Sequence, residues 1–425
     1  MEQEGIGHKI RRRDILKAGV WIAAGVAIGK CLPGPDRSEH ASHAQQGQAT
    51  HSAYMPQISK EPTPTPANAP WTGSKVIHVH DAQATYWDYG SNYYGNYVNQ
   101  AVVNEMVDRG VRELTDAATV AEAWRAIIPD YVPGKAIAIK VNFNNCTSCS
   151  ICESGCEDWQ LKIDALVHPI NALIRGLELA YPSLSYSDIW VYDATTGMGG
   201  REIPSRFVDS CQYIGVRYFD RSCHNPVRYN STSPTAYVTW RNPSGIPNLP
   251  STKVADVLVN ATYLINMPIM KKHGGAGVSL AFKNHFGSID NCEPLHDWVS
   301  ANWGQYYSAA YSPLVDVYLN PHIAGKTRLT IGDGLFGDRI SNYDRPTPWE
   351  TFGHAAPNSL FFSTDPVAID SIMCDFLHIE GYQSGIVGMS DDYLKLAEVE
   401  GLGVYERGDP WGSGYERIEY NRFEL

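Results

Sequence analysis

The chain has 425 residues and a formal net charge of -12, with 46 acidic side chains against 34 Lys and Arg. Outside the first residues the cations gather into no stripe or cluster, which argues against nucleic acid as a partner. Hydrophobic residues make up 43 % of the chain, enough at this length for a large buried core.

Taken in chain order, the first signal is Arg12-Arg13-Asp14-Ile15-Leu16-Lys17, followed by a weakly apolar, Gly- and Ala-rich run from Ala18 to Gly29. A twin arginine before such a run resembles a Tat export signal, with an uncleaved membrane anchor as the alternative. Ser42-His43-Ala44 is a small-x-small cleavage candidate, so residues 1–44 read as a signal peptide. Residues 45–72 are rich in Gln, Ser, Thr and Pro, with PTPTP at 62–66. Such a segment buries too little apolar surface to offset its ordering entropy, and it reads as a disordered tether. Residues 73–425 then form the working domain. The expectation is Tat export, with the Tat translocase as a partner in transit and a periplasmic, cell-surface or extracellular destination. An oxidising destination permits disulfides, whereas Tat cargo folds before export and can carry a cofactor loaded in the cytoplasm.

Beyond the tether, short β-branched runs alternate with helical patterns. KVIHVHDA (75–82), KAIAIKVNF (135–143), DIWVYDA (188–194), VRYFD (216–220), DVLVNATYLINMP (256–268), RLTIGDG (328–334) and NSLFFSTD (358–365) read as strands. Val103, Met106, Val107, Val111 and Leu114 fall at helical spacing, and His168-Pro169 opens a second helical pattern. The alternation predicts an α/β fold with a mainly parallel sheet, helices on both faces and two lobes. In such sheets ligands sit beyond the C-terminal strand ends.

Cys146, Cys149, Cys152 and Cys156 form C-x2-C-x2-C-x3-C, the spacing that holds a [4Fe–4S] cluster in bacterial ferredoxins. Three readings stand side by side. One is a cluster on the first three thiolates, completed by Cys156 or by the remote Cys292. The second is a zinc site on the same residues. The third is a set of disulfides, within the loop or out to Cys211 and Cys223.

AIKVNFNN (138–145), NMPIMKKHGGAGVSLAFKNHFGSI (266–289), IGDGLFGDR (331–339), SLFFSTDPVAID (359–370) and LGVYERGDPW (402–411) resemble the DUF362 family, over most of residues 75–420. The resemblance implies a domain that often occurs with iron–sulfur centres, and it names no reaction. The cysteine loop departs from the common pattern of that family.

Lys271, Lys272 and His273 precede Gly274-Gly275-Ala276-Gly277, and Lys283-Asn284-His285 follow. A Gly loop opening a helix, flanked by lysines, predicts an anion site for phosphate or carboxylate. Lys140 and Asn142 alternate with apolar residues on one strand and point the same way, and a buried Lys140 needs a carboxylate. The expected cleft holds Lys140, His273, Asp333 and Asp370 as catalytic groups, with Asn142, Lys271, Lys283 and Asn284 binding substrate. Asp365, before Pro366, reads as a helix cap. The expected ligand is a small anion or a sugar-like molecule, the latter suggested by the 25 Tyr and 11 Trp. The expected function is a redox protein or oxidoreductase with one cluster and an electron-transfer partner. Its rivals are an exported hydrolase or transferase with disulfide-bonded cysteines, and a non-catalytic carbohydrate- or anion-binding protein.

Overall fold

The computed structural model describes residues 74–146, 161–194, 202–340, 344–381 and 387–425. The expected signal peptide and tether, and Cys149, Cys152 and Cys156, lie outside them. Among the described residues eleven strands join in one sheet: β1 (Lys75–His80), β2 (Ile137–Lys140), β3 (Ile189–Tyr192), β4 (Arg217–Asp220), β5 (Asn225–Pro226), β6 (Tyr263–Asn266), β7 (Ile269–His273), β8 (Gly277–Val278), β9 (Thr327–Asp338), β10 (Ser359–Ser363) and β11 (Glu419–Glu424). Their order is β11-β1-β10-β9-β6-β2-β3-β4-β5, with β7 and β8 off this path. From β9 through β6, β2, β3 and β4 to β5 every pairing is parallel, while β10 runs antiparallel to both β9 and β1.

Side-chain alternation splits the core in two. Ile77, Val79, Ile137, Ile139, Ile265, Leu329, Ile331, Leu360 and Phe362 face helices α1 (Gln100–Thr115), α2 (Val120–Ile127) and α3 (His168–Ala180). Val76, Ala138, Leu264 and Phe361 face the opposite layer, built by helices Pro313–Tyr318, Pro366–Ile379 and Val387–Val399. Buried on both faces, the central strands read as near-continuous apolar runs, as parallel strands do. The mainly parallel α/β sheet with helices on both faces is as expected. The two lobes are not: the described residues fall in one compact unit. No helix among the described residues is long and apolar enough to cross a membrane.

Two elements differ from their sequence reading. Asp256–Asn260 is a short helix ahead of β6, so the stretch 256–268 is not one strand. The Gly-rich segment 274–276 turns a hairpin from β7 to β8 and opens no helix.

The edge strand β11 pairs in parallel with β1 and is pinned by a fully buried histidine. His78 Nδ1 lies 2.8 Å from Tyr420 Oη and Nε2 lies 2.8 Å from Ser359 Oγ. Burial first, then the charges of Arg422 and His80, hold its pKa well below 6.5. The folded protein keeps the imidazole neutral, while the unfolded chain takes up a proton as pH falls below about 6.5. Stability therefore drops with falling pH, by up to ~1.4 kcal/mol per pH unit for this one group. Urea unfolding of His78→Gln is expected to show a shallower loss between pH 6.5 and 5 than the parent. Equal slopes would mean that His78 takes no part.

Candidate functional site

The strand order reverses at β2. The chain runs from β2 to β3, β4 and β5 on one side, and later returns to fill β6 and β9 on the other. Open α/β sheets bind ligands beyond the carboxyl ends of strands at such a reversal. A cavity of about 250 Å³ lies there. Its floor and walls include Lys140, Asn142, Asp193, His273, Lys283, Asn284 and His296, and Trp303 stands exposed at its edge.

The floor is a polar network. Lys140 shares its parity with Ala138, so it leaves β2 on the face opposite α1–α3. It is fully buried, and its Nζ lies 3.4 Å from Asp193 Oδ1 at the end of β3 and donates to Asn284 Oδ1 at 3.2 Å. This is the carboxylate that a buried lysine requires. Asp193 Oδ2 accepts the Phe143 amide at 2.7 Å, which ties the two strand ends together. Lys271, also fully buried, donates to Asn142 Oδ1 at 2.9 Å. Asn142 Nδ2 donates to Asn284 Oδ1 at 3.2 Å, and Asn284 Nδ2 to Asn266 Oδ1 at 2.8 Å.

The walls are cationic and aromatic. The β7–β8 hairpin turns His273 so that its Nδ1 accepts the amides of Gly275 at 3.0 Å and Ala276 at 3.1 Å. That leaves Nε2 as the protonated nitrogen of a neutral ring. Burial, and then the charges of Lys283, His296 and Lys271, lower its pKa well below 6.5. Lys283 belongs to the single turn Ala281–Asn284. Its Nζ lies 3.1 Å from His296 Nε2 and 3.8 Å from the centroid of the Phe286 ring. His296 Nδ1 in turn lies 3.0 Å from the Glu293 carbonyl oxygen. The His296 ring stacks on His273 with centroids 5.7 Å apart and on Trp303 at 6.0 Å. A Cβ at Gly275 would approach Trp303 to 2.9 Å and the His273 ring to 3.3 Å, so the bare glycine lets both rings sit close to the hairpin.

Of the residues expected from sequence, the structure brings Lys140, Asn142, His273, Lys283 and Asn284 around one cavity, with Lys271 directly behind Asn142. Asp333 and Asp370 are not among its lining residues. Asp333 shares its parity on β9 with Leu329, Ile331 and Leu335, and so sits on the α1–α3 side of the sheet. Burial there raises its pKa to about 7, opposed by the Leu335 amide that it accepts at 3.0 Å. Asp370 lies behind the cavity. It accepts the amides of Ala281 at 2.7 Å and Phe282 at 3.2 Å, and burial raises its pKa to about 7. Those amides are the donors that a helix N-terminus would have offered to an anion, so the anion site envisaged there is filled by the protein's own carboxyl group. Asp365 caps its helix as expected, accepting from Val367 and Ala368. His168 opens α3 on the other face, beside a smaller cavity with Tyr93 and Arg206. His285 follows Lys283 in sequence but turns into the core against Tyr318.

Cys146, the one cysteine of the cluster motif among the described residues, departs from the cluster expectation. Cys146 is disulfide-bonded, and so is Cys223. A disulfide sulfur has no thiolate to give an iron or zinc ion, so Cys146 does not fit a metal ligand in this state. Cys292 is buried, outside any disulfide, and lines the cavity, and Cys211 is also outside any disulfide. Glu202, Asp220 and Cys223 lie close enough together to hold a metal ion. Their carboxylates already accept Ser222, Cys223, Ile203 and His224, and the sulfur is oxidised, so this group serves as structure.

Sequence reasoning passed over Asp193 as a site residue, and over His296 and Trp303. Asp193 was within reach, since it ends the strand beside Lys140 and supplies the carboxylate that lysine demands. His296 opens the short helix His296–Val299 and Trp303 follows it, neither with a motif or period, and only the folded chain brings them to Lys283.

No curated protein matches this chain in sequence. Among solved structures it is similar to the lactate racemase apoprotein from Thermoanaerobacterium thermosaccharolyticum, at 11 % identity and a TM-score of 0.38. That similarity covers 73 % of this chain and 58 % of the other, so the chain spans less than two thirds of its length. Residues 179–375, which carry Asp193, the β7–β8 hairpin, Lys283, His296 and Asp370, match the family model described as "Domain of unknown function (DUF362)".

Proposed function

We propose that this protein is exported and binds a small anionic substrate, a carboxylate or a phosphate, in the cavity at the strand ends. The observation that carries the reading is a cavity of about 250 Å³ lined by the ammonium groups of Lys140 and Lys283, with that of Lys271 one hydrogen bond behind Asn142. Taking charges out of water is costly, and three cations kept together around a concave site suit a ligand of opposite charge. Lys140, with Asp193, fixes the floor. Asn142 and Asn284 orient the ligand, and Lys271 and Lys283 attract it. His273 donates from its protonated nitrogen and His296 accepts at Nε2, which is the equipment for general acid–base work. The twin arginine at Arg12-Arg13 supports export, and the oxidised Cys146 and Cys223 suit an oxidising destination.

Calorimetric titration with inorganic phosphate and with oxalate tests the reading. Binding should weaken as salt is raised, because part of the attraction is screened. Lys283→Ala should weaken it roughly 10- to 100-fold, the worth of one charge-assisted hydrogen bond. Absence of binding by both anions, or affinities unchanged by Lys283→Ala, removes the proposal. The oxidoreductase reading with a [4Fe–4S] cluster retains the spacing of Cys146, Cys149, Cys152 and Cys156 as its support and requires Cys146 reduced. Iron, sulfide and zinc assays on anaerobically purified protein, with a visible spectrum, separate it from the disulfide-bonded form.

A further inference from the structure

We propose that Lys283 is an imine-forming amine, and that the cavity takes small acids that also carry an aldehyde or ketone. The inference rests on the anion-binding reading and adds the reacting group. Lys140, committed to Asp193 and Asn284, and Lys271, behind Asn142, are fully buried, whereas Lys283 lines the cavity and keeps slight exposure. An amine attacks a carbonyl only when neutral, and it is activated by an adjacent base or by nearby cations. Lys283 has both. Its Nζ is 3.1 Å from His296 Nε2. The other nitrogen of His296 lies 3.0 Å from the Glu293 carbonyl oxygen, which can only accept. His296 Nδ1 therefore carries the hydrogen, and Nε2 presents a lone pair to the ammonium. The Phe286 ring 3.8 Å away stabilises the charged amine until a substrate is in place. The stacked, neutral His273 has its proton on Nε2, as a donor for the oxygen of the adduct.

The step balances within these groups. His296 takes one proton from the Lys283 ammonium. The freed lone pair forms a C–N bond to the carbonyl carbon, and the C=O π pair moves to oxygen. A proton passes from nitrogen to that oxygen, giving a carbinolamine. His296 then returns its proton to the hydroxyl, the C–O bond breaks and water departs, leaving a protonated imine. The acid group of the substrate remains with the floor amides of Asn142 and Asn284, in the field of Lys140, which selects carbonyl compounds that bear a negative charge.

The test is trapping with glyoxylate and sodium borohydride, which delivers hydride to the imine carbon and leaves a stable carboxymethyl group on the lysine. The full-length chain should be labelled at Lys283, located by peptide mass, and inorganic phosphate should protect it. Lys283→Arg keeps the charge and should lose the label. His296→Ala should slow labelling about 10²-fold, the lower range for a positioned general base. Acetaldehyde, which lacks the carboxylate, should label Lys283 more slowly than glyoxylate. Should Lys283→Arg fail to fold, phosphate protection of the unaltered chain makes the same discrimination. Label scattered over surface lysines, or no label at Lys283 while phosphate still binds, overturns the imine and leaves the anion site standing. Loss of phosphate and oxalate binding in the unaltered chain overturns both.

Discussion

Replacing Lys140 by Met costs about 3–5 kcal/mol of stability, the usual penalty for removing one member of a buried ion pair. Lys140 is fully buried and Asp193 is 2 % exposed, so the carboxylate left behind has little solvation of its own. Two strand ends are affected together, because Asp193 also accepts the Phe143 amide and Lys140 also holds Asn284. Adding Asp193→Asn to Lys140→Met removes the stranded charge and keeps an acceptor for Phe143. The double variant should recover a measurable part of the loss, with a coupling of roughly 0.5–3 kcal/mol in a urea double-mutant cycle. Additive losses would show that the two groups act separately. Anion binding should be absent from both variants, since Lys140 contributes charge and geometry to the floor.

The second large effect comes from a residue that touches no ligand. Asp370→Ala leaves the amides of Ala281 and Phe282 buried without an acceptor, at about 1–3 kcal/mol for each. The turn they open carries Lys283 and Asn284, so Asp370→Ala should weaken phosphate binding along with stability. Asp370→Asn keeps one carbonyl acceptor and should retain most of both. Burial raises the Asp370 pKa from 3.8 to about 7, opposed by the two amides and the Tyr393 hydroxyl. The folded chain therefore holds a proton that the unfolded chain loses near pH 4. This contribution to stability is fully present below pH 4 and is lost as pH rises through about 7. Asp370→Asn carries no ionisable proton, so its stability relative to the parent should improve between pH 5 and pH 8. A constant difference across that range would show that Asp370 is ionised throughout.

Which parts of the molecule could be read in advance follows from the range of the forces involved. β1, β2, β3, β4, β9 and β10 were legible because each is a short apolar run whose periodicity is local. The pairing of Lys140 with a carboxylate was legible because burial alone demands it. The placement of Asp333 was not, since its position at a strand end says nothing of which face it takes, and on β9 its parity sends it with Leu335 away from Lys140. Asp370 was misassigned for a related reason. A carboxyl inside a helix and a Gly-rich loop with lysines both look like site components, yet in the fold one satisfies the backbone that follows the other. The same geometry supplied His296, which no local pattern marks and which the chain brings to Lys283 only by folding back from residue 296.

The joining of β1 to both β10 and β11 has a consequence for how the protein is made. His78 lies 281 residues before Ser359, its nearer partner in the finished sheet. At roughly 5–20 residues per second of synthesis, β1 waits about 14–56 s before β10 exists to pair with it, and longer for β11. Through that interval it is an apolar strand with both edges open, the kind of segment that recruits other chains. The half of the sheet from β2 to β6 can assemble early, because its strands follow one another in the chain. Folding is thus expected to finish at the β1 edge, and a chain stopped short of residue 359 would pair β2 to β6 beside an unfilled sheet edge, without the Asp370 carboxyl that holds the turn of Lys283 and Asn284.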